Sequence, residues 1–211
     1  MDTTVFRAWI TSAAGVIEAN RDHLTQLDAA IGDADHGANM TRGFNAVEAK
    51  LDGLDSDIPP GRALMQAGST LVSTVGGASG PLWGSGLRRA GKALGDAQTF
   101  EAADLVAALD AALAGIVELG AAEPGDKTIV DALGPAVSAM RTGIDAGSPL
   151  ADAVTAGREA AEEGMRATIP MQARKGRASY LGERSVGHQD PGATSTALIM
   201  AALERTVAEE S

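Results

Sequence analysis

The amino-acid sequence predicts an all-α protein, an antiparallel bundle or barrel of eight helices in one domain over residues 1–211. Hydrophobic residues make up 45% of the chain and aromatic residues only 3%. The core must therefore be built from Ala, Leu, Val, Ile and Met, a set that favours closely packed helices over sheets. Apolar residues also recur at helical spacing, and no alternating strand pattern is long enough to indicate a sheet. No break in composition marks a domain boundary.

Gly and Pro mark the ends of the helices in the first half of the chain. Pro is tolerated in the first turn of a helix, so Pro59-Pro60-Gly61 indicates a helix start, and Gly76-Gly77 indicates its end. The segments predicted here are a first helical stretch over 4–21 and 22–31 with a break near Asn20–Asp22, then helices over 38–51, from Pro59-Pro60-Gly61 to Val75, and over 81–94.

Polar caps mark the helix starts in the second half. Thr99 and Asp126 are residue types that cap helix N-termini, and Ser148-Pro149 combines a cap with a proline in the first helical position. A last apolar segment follows the glycine-rich loop near the C-terminus. The predicted helices cover 100–119, 127–143, 149–167 and 193–208.

The composition excludes several classes of function. The chain has no cysteine, which excludes disulfides, thiolate metal sites and a cysteine nucleophile. Its net charge of −11 argues against nucleic acid as a principal partner. It lacks a run of about eighteen apolar residues and the basic and apolar regions of a signal peptide. We therefore expect a cytoplasmic protein that binds neither nucleic acid nor a membrane.

The segment 171–192, MQARKGRASYLGERSVGHQDPG, predicts a functional loop. It holds four basic and two acidic residues and four glycines, and it shows neither helical nor strand periodicity. Loops of this length are unusual unless they are functional or disordered. A basic cluster on an acidic protein indicates an anionic ligand such as a phosphate. A flexible linker is the alternative, although linkers seldom combine so many apolar and cationic residues.

Three aspartates, Asp28, Asp33 and Asp35, form a candidate metal site. Carboxylates packed together repel each other unless a cation neutralises them, and hard oxygen ligands favour magnesium or calcium. No EF-hand spacing is present, so magnesium shared with phosphate oxygens is the better match. His36 stands beside the cluster, where it could donate to a phosphate. An Asp-rich turn that caps the next helix explains the same residues, and spacing alone leaves both interpretations open.

Two glycine-rich segments are weaker candidates. Residues 75–86, VGGASGPLWGSG, could present backbone N–H groups and Ser79 to a phosphate, or could simply allow close helix packing. Residues 120–128, GAAEPGDKT, are not a P-loop, because Asp126 occupies the lysine position and no strand precedes the segment. A helix C-cap at Gly120 and an N-cap at Asp126 explain most of it.

Together these motifs resemble the DhaL family, the nucleotide-binding subunit of dihydroxyacetone kinase. The resembling segments are GDADHGANMTRGF (32–44), VGGASGPLWG (75–84), AEPGDKT (122–128) and MQARKGRASYLGERSVGHQDPGATS (171–195). They occur in the order of the family and span nearly the whole chain. The likeness is greatest to the phosphotransferase-system type, in which the subunit is free-standing.

The resemblance implies an all-α barrel of eight helices with the nucleotide site at one end. Asp28, Asp33 and Asp35 match the family's magnesium ligands, and Arg177 and His36 are the implied catalytic residues. The implied cofactor-binding positions are His36, Gly37, Ala38, Asn39, Ala78, Ser79, Gly120, Ile129, Arg177, Asp190, Pro191 and Gly192.

The resemblance also implies a reaction and partners. A phosphohistidine carrier subunit of the phosphotransferase system would phosphorylate ADP, bound with Mg²⁺, and the ATP formed would phosphorylate dihydroxyacetone on a substrate-binding kinase subunit. We also expect a homodimer. Two alternatives remain open: an ATP-dependent dihydroxyacetone or short-sugar kinase subunit with exchangeable ATP, and a non-catalytic nucleotide-binding module that regulates a partner.

Overall fold

The structure, a computed structural model, describes residues 1–210 of the chain, and this part is all-α, as predicted. It contains no β-strand. A 3₁₀ segment, Arg177–Ser185, lies within the predicted loop and is kinked at Gly182. The α-helices are α1 (Thr3–Ala19), α2 (Arg21–Ile31), α3 (His36–Asp52), α4 (Pro60–Thr74), α5 (Ser79–Leu94), α6 (Ala102–Gly120), α7 (Val130–Asp145), α8 (Leu150–Ala167) and α9 (Pro191–Glu209).

Eight of these helices contact one another in a closed circuit. Each helix from α3 to α9 contacts the next one, α9 contacts α1, and α1 contacts α3. The remaining helix, α2, is separated from α1 by a break at Asn20, as predicted, and packs against α3, α9 and the 3₁₀ segment. The antiparallel eight-helix barrel stays a prediction in its detail. Side chains that are almost fully enclosed between the helices include Ile10, Ile17, Leu71, Ile116, Leu133 and Met140.

Three predicted caps are wrong by a few residues. Glu101 caps α6 in place of Thr99, because Glu101 and Asp104 form a reciprocal capping box. Asp126 does not cap α7, which begins at Val130, because its carboxylate accepts a hydrogen bond from the backbone N–H of Glu123. The N-cap of α8 is Pro149 and not Ser148.

The C-cap predicted at Gly120 is displaced by one residue. Gly120 is the last residue of α6, and Ala121 takes the left-handed conformation that ends the helix. Three helices begin two residues before their predicted starts: α3 at His36, α5 at Ser79 and α9 at Pro191. Each of these N-termini belongs to the candidate site described below.

Helices α4 and α5 approach closely because glycines face each other where they cross. A Cβ atom placed on Gly68 would lie 2.6 Å from the backbone oxygen of Gly84. Only a residue without a side chain permits this spacing. The close contact fixes α5, and with it Ser79, relative to the end of α4. No helix within residues 1–210 is long and apolar enough to cross a membrane.

Candidate functional site

A cleft of about 400 Å³ lies at the end of the molecule where several helix termini meet. The first residues of four helices line it: His36 of α3, Ser79 of α5, Val130 of α7 and Pro191 of α9. Helix N-termini carry the positive end of the helix dipole, so they favour anions, although the first N–H groups of α7 and α9 are already bonded to Thr128 and Asp190. Four of them around one cleft make it suitable for a ligand with several phosphate charges.

The three aspartates meet at the cleft, as the metal-site hypothesis predicts. One carboxylate oxygen each from Asp28, Asp33 and Asp35 lies within 4.8 Å of the others. Asp28 is buried, Asp35 is half-buried and Asp33 is exposed. Three hard oxygen ligands open to solvent on one side fit a magnesium ion, which usually keeps some water or phosphate oxygens in its coordination sphere.

Asp28 also builds the turn that carries the other two carboxylates. Its Oδ2 atom accepts hydrogen bonds from the backbone N–H groups of Asp35 (2.8 Å) and His36 (3.1 Å), which fixes the start of α3. A side chain on Gly32 would collide with the Asp28 carboxylate, and Ala34 has a φ of 61°. The Asp-rich turn and the metal-site geometry are therefore two properties of one arrangement.

Arg177 lies over the acidic cluster. Its Nε atom is 2.9 Å from Oδ2 of Asp33, and both side chains are substantially exposed. An exposed ion pair of this kind contributes little to stability, on the order of 0–1 kcal/mol. The importance of the contact is its position, because it joins the loop over residues 171–192, here called the basic loop, to the acidic cluster at the cleft.

His36 is held by hydroxyl groups on both sides of its ring. Nε2 lies 3.0 Å from Oγ of Ser195, and Nδ1 lies 3.2 Å from Oγ of Ser79. Ser195 donates its single hydroxyl proton to the backbone oxygen of Gly192, so its oxygen must accept from Nε2. Burial lowers the pKa of His36, partly opposed by Asp28 and Asp35, which favours the neutral ring. A neutral ring with a proton on Nε2 accepts from Ser79 at Nδ1.

The side-chain amide of Asn39 is held by Arg42, a residue of the same helix, α3. Its Oδ1 atom accepts a hydrogen bond of 2.6 Å from Arg42, and Arg42 also donates to the backbone oxygen of Thr74 at the end of α4. The Asn39 amide packs against Gly76, where a Cβ atom would come within 3.3 Å of it. Since its oxygen is occupied, the amide can offer its N–H₂ group as a hydrogen-bond donor in the cleft.

Asp190 caps α9 from a buried position. Its Oδ2 atom accepts from the backbone N–H of Ala193 at 2.7 Å. Burial raises the pKa of Asp190 to about 7; the negative charge of Asp131 adds to this effect, whereas the hydrogen bond from Ala193 and the charge of Lys127 oppose it. Asp190 is therefore near its midpoint of titration at neutral pH.

Most of the site residues expected from the sequence line this one cleft. Gly37 and Ala38 do not line it. A side chain at Gly37 would collide with the Arg21 backbone oxygen and the Thr25 hydroxyl, so this glycine allows α3 to pack on α2. The expected residues that do line the cleft are Asp28, Asp33, Asp35, His36, Asn39, Ala78, Ser79, Gly120, Ile129, Arg177, Asp190, Pro191 and Gly192.

Several residues that shape the site were not among those expected from the sequence. Ser195 and Lys127 are both almost fully buried and polar, and each contacts segments far away in the chain. The signal for Lys127 was its position in the glycine-rich segment that fails as a P-loop; Ser195 gave none. An apolar wall suited to a nucleobase was also missed, and it consists of Pro81, Leu82, Ile116, Leu119, Ala122 and Val130.

Comparison with known proteins decides the family. The model of the DAK2 domain matches residues 30–205. The chain belongs to the DAK2 domain family. This DAK2 domain is 45% identical over 193 residues to the ADP-binding subunit DhaL of the PEP-dependent dihydroxyacetone kinase of Escherichia coli (strain K12), and the match covers 91% of each chain. The resemblance to DhaL proteins drawn from the motifs is confirmed.

Two further relatives differ in length. The DAK2 domain is 36% identical over 212 residues to the ADP-binding subunit DhaL of the PTS-dependent dihydroxyacetone kinase of Lactococcus lactis, covering 99% of this chain and 98% of the relative. It is 43% identical over 188 residues to an L-erythrulose 1-kinase of Mycolicibacterium smegmatis, covering 87% of this chain but only 32% of that protein.

Solved structures support the all-α fold. The dihydroxyacetone kinase of C. freundii in its native form matches this DAK2 domain with a TM-score of 0.73 and 24% identity, over 97% of this chain and 34% of that one. The same kinase in complex with AMP-PNP and Mg²⁺ gives a TM-score of 0.72 at 24% identity, over 94% of this chain. This chain thus spans about a third of those kinase chains, and the likeness concerns the fold.

Proposed function

We propose that this chain is the nucleotide-binding subunit of a dihydroxyacetone kinase. It holds ADP with Mg²⁺, and through this nucleotide a phosphoryl group is transferred from a phosphohistidine carrier subunit to dihydroxyacetone on a substrate-binding subunit. The observation that carries the proposal is the cleft itself, where four helix N-termini and three clustered carboxylates meet. Two relatives of nearly equal length, named as ADP-binding subunits, support the choice of nucleotide.

The three aspartates hold the metal ion in this proposal. Asp28 is fixed by its own backbone contacts, and Asp33 and Asp35 face it from the turn that it builds. Bound magnesium supplies positive charge that neutralises the phosphate oxygens during phosphoryl transfer. The carboxylates keep that charge at one edge of the cleft, next to the helix N-termini.

Other residues orient the phosphates. Ser79 donates its hydroxyl proton to His36, so what it offers a phosphate is its place at the N-terminus of α5. Asn39 offers its N–H₂ group, and Arg177 of the basic loop adds positive charge over the cleft. Phosphoryl transfer depends on positioning and charge neutralisation more than on a protein nucleophile.

The apolar wall gives the nucleobase its place. Leu82 on α5 and Ile116 and Leu119 on α6 belong to this wall, and Ile129 lines the cleft just before α7. Burial of a base against aliphatic side chains contributes roughly 25 cal/mol for each Å² of apolar surface removed from water. The phosphates then extend towards the helix N-termini and the carboxylates.

An ATP-dependent kinase subunit is the second candidate function. The relative named L-erythrulose 1-kinase is a much longer protein, of which this chain matches about a third. In that candidate the same residues hold an ATP that exchanges with solvent, and no phosphocarrier takes part.

We also propose that the chain forms a homodimer and is located in the cytoplasm. Multi-angle light scattering tests the homodimer.

Mass spectrometry of the released nucleotide tests the proposal. The freshly purified, extensively dialysed protein is denatured and the supernatant is analysed for ADP and ATP. About one equivalent of ADP per chain supports a retained cofactor and the phosphocarrier-dependent reaction. An empty protein that binds and exchanges ATP with Mg²⁺ supports the ATP-dependent kinase. A protein that binds neither nucleotide contradicts both.

Reconstitution separates the kinase subunit from a regulatory module. The chain is mixed with a dihydroxyacetone-binding subunit and either a phosphorylated carrier subunit or ATP, and dihydroxyacetone phosphate is measured. Product formation that requires this chain supports an enzymatic role. Nucleotide binding without transfer under either condition identifies a regulatory module instead.

A further inference from the structure

Lys127 has its ammonium group enclosed by backbone carbonyl oxygens. Nζ donates to the oxygens of Ser185 (2.8 Å), Thr168 (2.9 Å) and Met171 (3.1 Å), and also to the oxygen of His188. The side chain is only 1% exposed. Lysine is almost never fully buried without compensation, so this environment requires an explanation.

The four carbonyl oxygens surround the ammonium group as they would surround a small monovalent cation. Four converging carbonyl dipoles stabilise a positive charge, as they do where backbone oxygens replace the water shell of an ion. The group has three N–H donors for four acceptors, so every donor is occupied. Lys127 therefore has no N–H group left for a phosphate, and it is not the counterpart of a P-loop lysine.

All four acceptors belong to one stretch of chain, residues 168–188. This stretch includes Lys175, Gly176 and Arg177 of the cleft wall. Further hydrogen bonds close its base: the N–H of Gly187 donates to the oxygen of Ile169 at 2.8 Å, and the N–H of Arg174 donates to the oxygen of Asp126 at 3.1 Å. Both ends of the stretch thus converge on Lys127.

Lys127 itself also lines the cleft. It is followed directly by Thr128 and Ile129, which line the cleft together with it. Its φ of 65° is in the left-handed region, which side-chain-bearing residues rarely adopt. The chain turns at Lys127 between the end of α6 and the start of α7. Its side chain extends to the carbonyl oxygens of residues 168–188.

We propose that Lys127 is a positioning residue that acts as a built-in cation, closing the base of residues 168–188 so that Arg177 stays over the cleft and the bound nucleotide leaves slowly. The inference rests on the proposed nucleotide-binding function. It adds the element that sets how long the nucleotide is retained, and it assigns that control to a residue that contacts no phosphate through its ammonium group.

The test measures release of a fluorescent ADP analogue, with Mg²⁺, from wild type, Lys127→Ala and Lys127→Met in stopped-flow chase experiments. Loss of hydrogen bonds to a buried charge is expected to raise the release rate roughly 10- to 100-fold in both variants. In Lys127→Ala, added n-propylammonium replaces the missing atoms and is expected to slow release again. The neutral isostere n-propanol is expected to have no such effect.

Several results would overturn the inference. An unchanged release rate in both variants would remove the positioning role, and faster release without rescue by n-propylammonium would remove the cation role. Unfolding of both variants, seen by circular dichroism, would show that Lys127 maintains the whole fold and not the loop. Melting temperatures within a few degrees of wild type are expected on the basis of a local role.

Lys92→Met is the matched control. Lys92 is exposed near the end of α5, about 20 Å along the helix from Ser79, so its replacement should leave the release rate unchanged. The wild-type protein separates the two proposals: no binding of Mg²⁺ and ADP by wild type contradicts the proposed function, whereas normal wild-type binding with unchanged variants contradicts only the role of Lys127.

Discussion

The Asp28 carboxylate has two functions, one in the turn before α3 and one in the acidic cluster. Oδ2 accepts from the backbone N–H groups of Asp35 and His36 and so forms the turn before α3. The carboxylate also contributes an oxygen to the cluster with Asp33 and Asp35. Replacing Asp28 would therefore disturb the turn and the cation site together. Asp33 is the better residue for testing the cation site, because it is exposed and its recorded side-chain contact is with Arg177.

We expect Asp33→Asn to weaken Mg²⁺-dependent ADP binding at least about tenfold, equivalent to about 1.4 kcal/mol, because one of three charged ligands is lost. Isothermal titration calorimetry with and without Mg²⁺ measures this. Asp52→Asn, an exposed aspartate at the far end of α3, is the control and should bind as wild type does. Full nucleotide binding and phosphoryl transfer in Asp33→Asn or Asp33→Ala would refute the metal site.

Ser195→Ala should destabilise the protein by about 0.5–1.5 kcal/mol, because it removes the hydrogen bond between the Ser195 hydroxyl and the buried ring of His36. Urea unfolding measures the change. The exposed Ser138→Ala provides the comparison and should cost less than about 0.5 kcal/mol. In wild type, ¹⁵N shifts of His36 should report the proton on Nε2; a proton on Nδ1 would be incompatible with the hydrogen-bond chain from Ser195 to Ser79.

Asp190 gives a pH dependence whose sign follows from its burial. Its pKa is raised from 3.8 to about 7, so between these values the folded chain keeps a proton that the unfolded chain releases. This group therefore makes stability fall as pH rises from about 4 to about 7, by up to about 1.4 kcal/mol per unit, with no further loss above.

Asp190→Asn removes this titration and retains an oxygen that can accept from Ala193. Without nucleotide, the unfolding free energy of the variant relative to wild type should rise steadily from about pH 4 to about pH 7. Urea unfolding at several pH values measures the difference. The exposed Asp145→Asn should show no such rise. Parallel stability curves for wild type and Asp190→Asn would mean that the Asp190 carboxyl ionises normally in the fold.

At the scale of the elements, the α4–α5 crossing controls where Ser79 and the N-terminus of α5 lie. A Cβ atom on Gly68 would be 2.6 Å from the Gly84 oxygen and 3.0 Å from the Arg88 nitrogen. Both of these are backbone atoms, which cannot move aside without shifting a whole helix. Any displacement of α5 relative to α4 would therefore also move Ser79 at the cleft.

Gly68→Ala should lower stability by about 1–3 kcal/mol, since overpacking outweighs the gain in helix propensity. Gly15→Ala should have the opposite effect. Gly15 is exposed in the middle of α1, and nothing lies within 4 Å of a Cβ atom there, so the substitution should stabilise the protein by about 0.5–1 kcal/mol. Thermal unfolding of the two variants measures both. Stabilisation by Gly68→Ala would mean that α4 and α5 are not packed through their glycines.

At the scale of the whole molecule, the predictable parts are those encoded locally. Helical spacing and Gly or Pro punctuation predict nearly every helix within a few residues, and Asp28 together with the turn DADH indicates a candidate metal site. Lys127 and Ser195 could not be found this way. Lys127 binds backbone carbonyls, which every residue has, and Ser195 meets His36 across 159 residues of chain. Only the folded arrangement of helices brings such partners together.

The same long-range assembly means that ligand binding should stabilise the entire fold. The cleft draws on α2, α3, α5, α6, α7, α9 and the basic loop, so an unfolded chain has no comparable site. At about 100 times the dissociation constant, a ligand that binds only the folded state adds about 2.7 kcal/mol. For a chain of this size that raises Tm by roughly 5–10 °C.

Mg²⁺ and ADP together should raise the Tm of nucleotide-stripped protein by more than the sum of their separate effects. Without a cation, the carboxylates of Asp28, Asp33 and Asp35 repel the phosphates of ADP. A cation held by these carboxylates attracts the phosphates instead. Differential scanning calorimetry measures the four conditions, and adding EDTA to the complex should remove most of the shift. If ADP alone gave the full shift, the cation would not lie between the carboxylates and the phosphates, and the acidic turn would serve only to begin α3.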